Sequence, residues 1–251
     1  QETELFVFGV FQEAKKRDLA FEQVDKRLNG LLASQLQQDG FMGCVQEWSA
    51  FPVFGMLKAK RVAFLGLGKA ENLHPDVLHK LGGTLARRGR ELKAKTLTFV
   101  LPTRGAMRFP LDRFVEALSE GIYLGTYQFH AYRTSVMPED KAKELSQILF
   151  CGWDKGDRKM LEKAVEEARQ LCASVQLTRE LVNTPSEDMT PAHLVKAALD
   201  LVEQEPNLSL EILDAAKMQE FGMEPTLAVG RGSMHPAQGA HLVYHPKTRP
   251  K

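Results

Sequence analysis

The stretch RVAFLGLG, residues 61–68, decides the fold class of this chain. It is a short, continuous apolar run that ends on glycine, which is the pattern of a strand buried on both faces. Similar apolar runs predict further strands at residues 5–11 (LFVFGVF), 96–101 (TLTFVL) and 147–152 (QILFCG). Because helical patterns separate these runs, we expect an α/β fold with a mostly parallel sheet.

Between the strands, apolar residues recur at helical spacing and predict helices over residues 21–36, 75–93 and 111–123. A much longer helix is predicted from residue 157 to about 182, where Gly and Pro are absent. At 1.5 Å per residue it would be about 39 Å long, with Leu171 on its apolar face. Such a helix is a good connector between two α/β segments, and the breaker cluster at residues 183–186 ends it.

The alternation then resumes. Thr190 and Pro191 open a helix that is predicted to run to about residue 205. It is followed by predicted strands at 208–213, 226–229 and 241–245, with a short helix at 215–221. A unit of this size rarely forms a sufficient core, so we interpret the last quarter of the sequence as the beginning of a larger domain.

Composition excludes several classes of protein. The 251 residues carry 33 Lys and Arg against 32 Asp and Glu, a net charge of +1, unlike a dedicated nucleic-acid binder. No apolar run is long enough to span a bilayer, and the start lacks the pattern of a signal peptide, so we expect a cytoplasmic protein with no membrane partner. The start at Gln1 rather than Met indicates trimming or a missing leader.

Gly66, Gly68 and Lys69 follow a predicted strand, as in a phosphate-binding loop. However, Glu71 stands where the dinucleotide fingerprint needs its third glycine, and Ala70 stands where a P-loop needs Ser or Thr. We therefore favour a plain turn at the exit of the strand, with phosphate binding as the weaker alternative.

No metal site or nucleophile emerges from spacing. His241 and His245 would lie about 13 Å apart along a strand, too far to share one zinc ion, and His235 has no partner motif. Ser233 lacks the downstream glycine of a nucleophile elbow, and Ser186 lies in a proline turn. The three cysteines form no CxxC pair, which argues against a disulfide framework or a zinc ribbon, and structural roles are expected for them: Cys44, Cys151 and Cys172.

A basic run lies around the end of the predicted helix 75–93, and the nearby Gly82, Gly83 and Gly89 weaken that helix. Charge runs of this kind are usually solvated helix faces, although contact with a phosphate backbone is the alternative. The run consists of Arg87, Arg88, Arg90, Lys93 and Lys95.

A resemblance emerges at the end of the long helix. The stretch TRELVNTPSEDMTP, residues 178–191, is followed by Phe221-Gly-Met and by LAVGRGS, residues 227–233. Together these segments resemble the leucyl aminopeptidase family, whose pattern is R-x-L-x-N-x-P, then T-P, then "GM…LLAVGRGS". The likeness is specific over residues 178–246 and looser over residues 1–155, and Glu187 departs from the Asn that many members carry.

The resemblance implies a domain organisation and a function. Residues 1–155 would form a macro-domain-like N-terminal α/β domain, residues 156–185 a linker helix, and residues 186–251 the truncated beginning of a peptidase catalytic domain. Members of the family release N-terminal amino acids from peptides with two divalent metal ions, zinc or manganese, and assemble as homo-hexamers.

The catalytic motifs of the family, beginning with "VGKG-x-TFD", do not occur in this sequence. We therefore assign none of its residues as catalytic, cofactor-binding or metal-ligating, expect no metal in this chain, and interpret it as the N-terminal portion of such an enzyme, inactive alone. Its basic end, residues 247–251, has the character of a flexible and easily cleaved tip. The alternatives are a macro-like module that binds nucleotide, ADP-ribose or DNA, and a non-catalytic scaffold for oligomer assembly.

Overall fold

The computed structural model describes residues 3–12, 19–103, 107, 109–134 and 145–246. The C-terminal tip at 247–251 lies outside the described residues. The chain divides into two compact units, Gln1–Gln176 and Leu177–Lys251, with the division inside the long helix. The proposed boundaries at residues 155 and 185 instead treat that helix as a segment of its own.

The first unit alternates strands and helices as the sequence predicts. Its described elements are β1 (Leu5–Phe11), α1 (Leu19–Arg27), α2 (Leu31–Gln38), β2 (Trp48–Pro52), β3 (Arg61–Gly68), α3 (Pro75–Glu91), β4 (Thr96–Val100), α4 (Leu111–Thr126), β5 (Gln147–Cys151) and most of α5 (Arg158–Asn183). The strands form one sheet in the order β2-β3-β1-β4-β5. All neighbours are parallel except β2, which runs antiparallel to β3, so the predicted mostly parallel α/β sheet is confirmed.

The sheet is covered on both faces, because alternate residues of each strand enter different cores. Leu5 and Val7 of β1 join a large cluster with α3, α4 and the start of α5. Phe8 joins a second cluster with α1 and α2. The ring centroids of Phe8, Phe21 and Phe64 lie within 6.0 Å of one another. Burial on two faces explains why these strands are nearly continuous apolar runs.

Two predictions in this unit are wrong. The single helix expected over residues 21–36 is two helices, because Asn29 and Gly30 adopt positive φ angles of 53° and 82° between α1 and α2. The Asp25 carboxylate then accepts hydrogen bonds from the backbone N–H groups of Leu32 and Ala33, in the first turn of α2, at 2.8 and 3.1 Å. Strand β2 is not predicted at all, since its sequence WSAFP shows neither a long apolar run nor clean alternation.

Gly82 of α3 is a packing residue rather than a weak point, which corrects the sequence interpretation at this position. A Cβ on Gly82 would lie 2.3 Å from the carbonyl oxygen of Leu118 in α4, and one on Gly121 would lie 2.2 Å from that of His79 in α3. The two helix backbones therefore touch, and only glycine permits such a close approach. Gly83, by contrast, has nothing nearer than 3.9 Å.

The long connector helix α5 is confirmed over Arg158–Asn183. Its buried side chains within the first unit are Leu161, Ala164, Ala168 and Cys172. The Cys172 thiol donates to the Glu120 carbonyl at 3.6 Å, and the Gln176 amide donates to the Tyr123 carbonyl at 2.9 Å. Leu171 is 55% exposed, so its placement on the inner face is wrong.

The second unit contains the end of α5 and a small α/β arrangement. Its elements are α6 (Pro191–Gln204), β6 (Leu208–Leu213), α7 (Ala215–Glu220), α8 (Glu224–Gly230) and β7 (Gly239–Tyr244). Strands β6 and β7 form an antiparallel pair. The strand predicted at residues 226–229 is wrong, because this segment lies in α8, where Pro225 occupies the first turn.

No helix in the described part of the chain is long and apolar enough to cross a membrane.

Candidate functional sites

The two glycines at the end of β3, Gly66 and Gly68, have their backbone donors occupied. The N–H of Gly66 donates to the Glu47 carbonyl at 2.8 Å, and the N–H of Gly68 donates to the Gly43 carbonyl at 2.9 Å. A phosphate-binding loop needs such N–H groups to point at its ligand. These two are used within the protein, so the geometry offers no support for phosphate binding through them.

The same two glycines allow close contact between the end of β3 and a neighbouring backbone segment. A Cβ on Gly66 would lie 1.9 Å from the carbonyl oxygen of Cys44, and Gly68 has a φ of 75°. A side chain at either position would therefore collide with the neighbouring loop or strain the backbone. Gly66 and Gly68 therefore allow the loop at residues 41–47 to pack against β3, although in sequence they resemble part of a phosphate-binding motif.

Glu47 holds that loop, a role that sequence reasoning missed. Its carboxylate accepts from the backbone N–H groups of Met42 at 3.0 and 3.1 Å and of Cys44 at 2.9 Å. The side chain of Gln46 donates to the Thr84 hydroxyl at 2.8 Å, which ties the loop to α3. Gly40 and Gly43 are the sequence signals that indicate a turn-rich loop here.

The three histidines do not converge. The Nδ1 atom of His241 lies 3.8 Å from the Glu211 carboxylate, and Nε2 of His245 lies 2.9 Å from the Ser209 hydroxyl. His235 lies in an exposed turn. Each therefore has separate surroundings, as the distance along the strand predicts.

Neither serine has the surroundings of an activated nucleophile. The Ser233 hydroxyl accepts from the backbone N–H of His235 at 3.0 Å, within a local turn. Ser186 is exposed in the turn that follows α5, where the Met189 N–H donates to the Pro185 carbonyl at 2.8 Å. Activation requires a base within hydrogen-bonding reach of the hydroxyl, and the hydrogen bonds at these turns are structural.

All three cysteines are free thiols: Cys44 is exposed, Cys151 is half-buried and Cys172 is buried. Burial raises the pKa of the Cys151 thiol to about 11, because the charged thiolate is poorly solvated there. Nucleophilic chemistry needs the thiolate, so Cys151 is a poor nucleophile near neutral pH.

We expect a thiol reagent to label Cys44 first. At pH 7.5 the alkylation of Cys151 should be slower than that of Cys44, and its rate should rise about tenfold for each pH unit until the pH approaches its pKa. Mass spectrometry of peptides after timed treatment with iodoacetamide measures both rates, with Cys44→Ser as the control. Equal rates for Cys44 and Cys151 in the folded chain would contradict the burial of Cys151.

The arginines of the basic run are engaged within the protein. Arg88 pairs with Glu91 at 2.8 Å, Arg90 donates to the Gly125 carbonyl at 3.3 Å, and Arg87 donates to the Thr84 hydroxyl at 3.4 Å. Lys93 and Lys95 lie beyond the end of α3 and are exposed. The arginines of α3 therefore have partners within the protein, as expected for a solvated helix face.

A shallow cleft of about 290 Å³ lies at the start of α4. Its lining is mostly apolar, and Asp112 is its charged member. It contains none of the residues that sequence analysis considers as nucleophiles or ligands. The lining residues are Met107, Phe109, Pro110, Leu111, Asp112 and Met160.

Among the described residues, no three His, Cys, Asp or Glu side chains are close enough together to hold a metal ion. The donor set that a two-metal peptidase needs is therefore not offered by this part of the chain.

Two models of one protein family match this chain. The profile of the cytosol aminopeptidase family, N-terminal domain, matches residues 7–135, and the profile of the catalytic domain of the same family matches residues 176–251. The chain belongs to the cytosol aminopeptidase family. The leucyl aminopeptidase resemblance drawn from residues 178–246 is thereby confirmed.

Curated relatives agree. A probable cytosol aminopeptidase from Cyanothece sp. is 30% identical over 248 residues, which is 99% of this chain and 48% of the relative. One from Sulfurihydrogenibium sp. is 30% identical over 245 residues, 98% of this chain and 47% of the relative. The chain thus spans about half the length of the curated relatives it matches.

Solved structures share the fold. A tomato leucine aminopeptidase mutant superposes with a TM-score of 0.81 at 24% identity, covering 100% of this chain and 50% of that one. The bottromycin maturation enzyme BotP in complex with Mn gives a TM-score of 0.75 at 22% identity, covering 97% of this chain and 46% of that one.

Proposed function

We propose that this chain forms the N-terminal part of a metal-dependent aminopeptidase that releases N-terminal amino acids from peptides. The observation that carries the proposal is the order of the two family matches: the N-terminal-domain match at residues 7–135 is followed by the catalytic-domain match at residues 176–251, and the chain spans about half the length of its curated relatives. The domain limits we propose remain 1–155, 156–185 and 186–251.

The proposed enzyme uses two divalent metal ions, zinc or manganese. A neighbour in fold that is described in complex with Mn supports this. Such ions, when bound, activate water and polarise the scissile carbonyl. The described residues do not fit such a site, so we assign no ligand, catalytic residue or cofactor-binding residue to this chain.

We further propose that the complete enzyme is cytoplasmic and a homo-hexamer acting on peptide substrates. The name of the relatives, cytosol aminopeptidase, supports the compartment. Assembly would give the first unit a scaffold role, which sedimentation of the complete enzyme tests by mass.

The alternative, a macro-like module for nucleotide, ADP-ribose or DNA, is weakened by the occupied donors of Gly66 and Gly68. A rise in melting temperature on addition of ADP-ribose would favour it. The aminopeptidase proposal expects no such shift.

We expect the purified chain of 251 residues to show no hydrolysis of a leucine amide substrate when Mn²⁺ or Zn²⁺ is added. The physical reason is that the described residues offer no cluster of metal ligands. The matched comparison is a longer polypeptide that contains the complete catalytic domain and should turn over under the same conditions. Metal-dependent turnover by the 251-residue chain that persists through repurification would contradict this expectation.

A further inference from the structure

The connection between β2 and β3 contains a turn with an unusual residue. The N–H of Met56 donates to the carbonyl of Val53 at 2.9 Å, and the two central residues, Phe54 and Gly55, have φ angles of 44° and 80°. Two positive φ angles define the mirror-image turn of β-hairpins, whose first central position favours Asn, Asp or Gly. Phenylalanine in this position strains the backbone.

The fold gains little from Phe54 in return. Its side chain is 87% exposed, and Met56 is 48% exposed. The next residues alternate: Leu57 packs against the core beside α1 and α2, while Lys58 points to solvent. An aromatic residue that is both strained and exposed contributes little to the turn or to the core, which leaves its ring available for contact with a partner.

Exposed cations lie at the same edge of the sheet as this turn, which connects β2 to β3. Strands β1, β3 and β4 are parallel, so their first residues lie at one edge of the sheet. The carbonyl of Glu4 accepts from the N–H groups of Lys60 and Arg61 at 3.0 and 3.1 Å, and its carboxylate accepts from the N–H of Lys95 at 2.6 Å. We call these exposed side chains the basic edge: Lys58, Lys60, Arg61, Lys93 and Lys95.

The charge of the basic edge is only partly compensated among the described residues. Glu4 forms an ion pair with Lys60 and interacts electrostatically with Lys95, whereas Lys58, Arg61 and Lys93 form no ion pair with the described residues. These cations form a local positive patch in a chain whose net charge is only +1. A cationic surface with an apolar tip is complementary to a surface that is anionic outside and apolar beneath.

We propose that the basic edge docks on an anionic lipid surface, with Phe54 and Met56 entering the headgroup region. Lysine and arginine side chains bind the negative leaflet, and an exposed apolar tip anchors them. A single-stranded nucleic acid would instead need a groove with successive aromatic platforms. The tip presents one ring and a thioether on a convex turn. This revises the expectation of no membrane partner, since surface docking needs no spanning segment, and it is independent of the proposed peptidase activity.

The test is co-sedimentation of the intact 251-residue chain with vesicles. We expect binding to phosphatidylcholine vesicles that contain about 30 mol% phosphatidylserine, and little binding to pure phosphatidylcholine. Binding should fall as salt is raised from about 0.1 M towards 1 M, because screening shortens the range of the attraction. Equal binding to both vesicles, or none to either, would overturn the proposal.

Two variants separate docking from folding. Phe54→Asn should raise the melting temperature by about 2–4 °C, since Asn-Gly suits this turn, and yet weaken vesicle binding about tenfold. The double variant Lys58→Glu with Arg61→Glu should weaken binding by at least about tenfold. Its control is Lys159→Glu with Lys163→Glu, the same charge change on exposed positions of α5, which should retain binding.

Two results would refute the assignment of this surface. One is an equal loss of vesicle binding in the control double variant. The other is a Phe54→Asn chain that binds vesicles as tightly as the parent. Tight binding of a single-stranded DNA oligonucleotide that is lost in Lys58→Glu with Arg61→Glu, without any vesicle binding, would replace the lipid surface with nucleic acid.

Discussion

Replacing Gly82 with Ala should lower the free energy of unfolding by about 3 kcal/mol or more. The added methyl group would lie 2.3 Å from the Leu118 carbonyl oxygen and 2.7 Å from the Ile122 nitrogen, both backbone atoms of α4. Backbone cannot rotate aside as a flexible side chain can, so the two helices would have to move apart. That movement would loosen the core that α3 and α4 form on the sheet.

Gly83 provides the matched control. It is the next residue of the same helix, but a Cβ there would be 3.9 Å from its nearest neighbour, the Gly121 carbonyl oxygen. Gly83→Ala should therefore raise stability by about 0.5–1 kcal/mol, the usual gain when Ala replaces Gly inside a helix. Urea denaturation followed by circular dichroism measures both changes. If the two variants had the same midpoint, the close approach of α3 and α4 would be incorrect.

Replacing Ala168 with Asp should also destabilise the first unit strongly, by about 3–5 kcal/mol. Ala168 is 0% exposed on the inner face of α5, beside buried Ala164 and Cys172 one turn away on either side. A carboxylate there would lose its hydration without gaining a cationic partner. The midpoint of urea denaturation should therefore be lower for Ala168→Asp than for the parent chain. If the loss exceeds the stability of the parent, the variant should be only partly folded at neutral pH without urea.

Leu171→Asp is the control for this helix face. Leu171 is 55% exposed, so a carboxylate at this position stays hydrated and the stability should change by less than about 1 kcal/mol. A Leu171→Asp variant that is as unstable as Ala168→Asp would show that the inner face of α5 is wider than the structure describes.

The sequence predicts most elements because burial leaves a local signature. The runs at residues 5–11 and 61–68 coincide with β1 and β3, since a strand buried on both faces must be apolar along its length. Helix α5 is equally predictable from the sequence, because its 26 residues include no Gly or Pro that would break the helix. Besides the break between α1 and α2, the misses include the short elements β2 and α8, whose conformation depends on partners rather than on their own pattern.

The candidate sites show the same division. The absence of recognisable catalytic motifs and the family resemblance are properties of the sequence, and the family matches agree with the resemblance. The role of Glu47 could not be predicted, because its carboxylate acts on backbone N–H groups that no side-chain pattern reveals. Gly66 and Gly68 look like a phosphate loop until the loop that occupies their donors is seen.

The sequence by itself therefore determined the α/β alternation, the long helix and the family, since each depends on residue type and on spacing along the chain. Tertiary structure alone decided which side of α5 is buried, because Leu171 and Cys172 are neighbours in one apolar pattern and only contact with α4 distinguishes them. It also decided that Gly82 is a contact point, and that cations at or just before the starts of β3 and β4 lie at one edge of the sheet. Such pairs are distant in sequence, and the topology of the sheet brings them together.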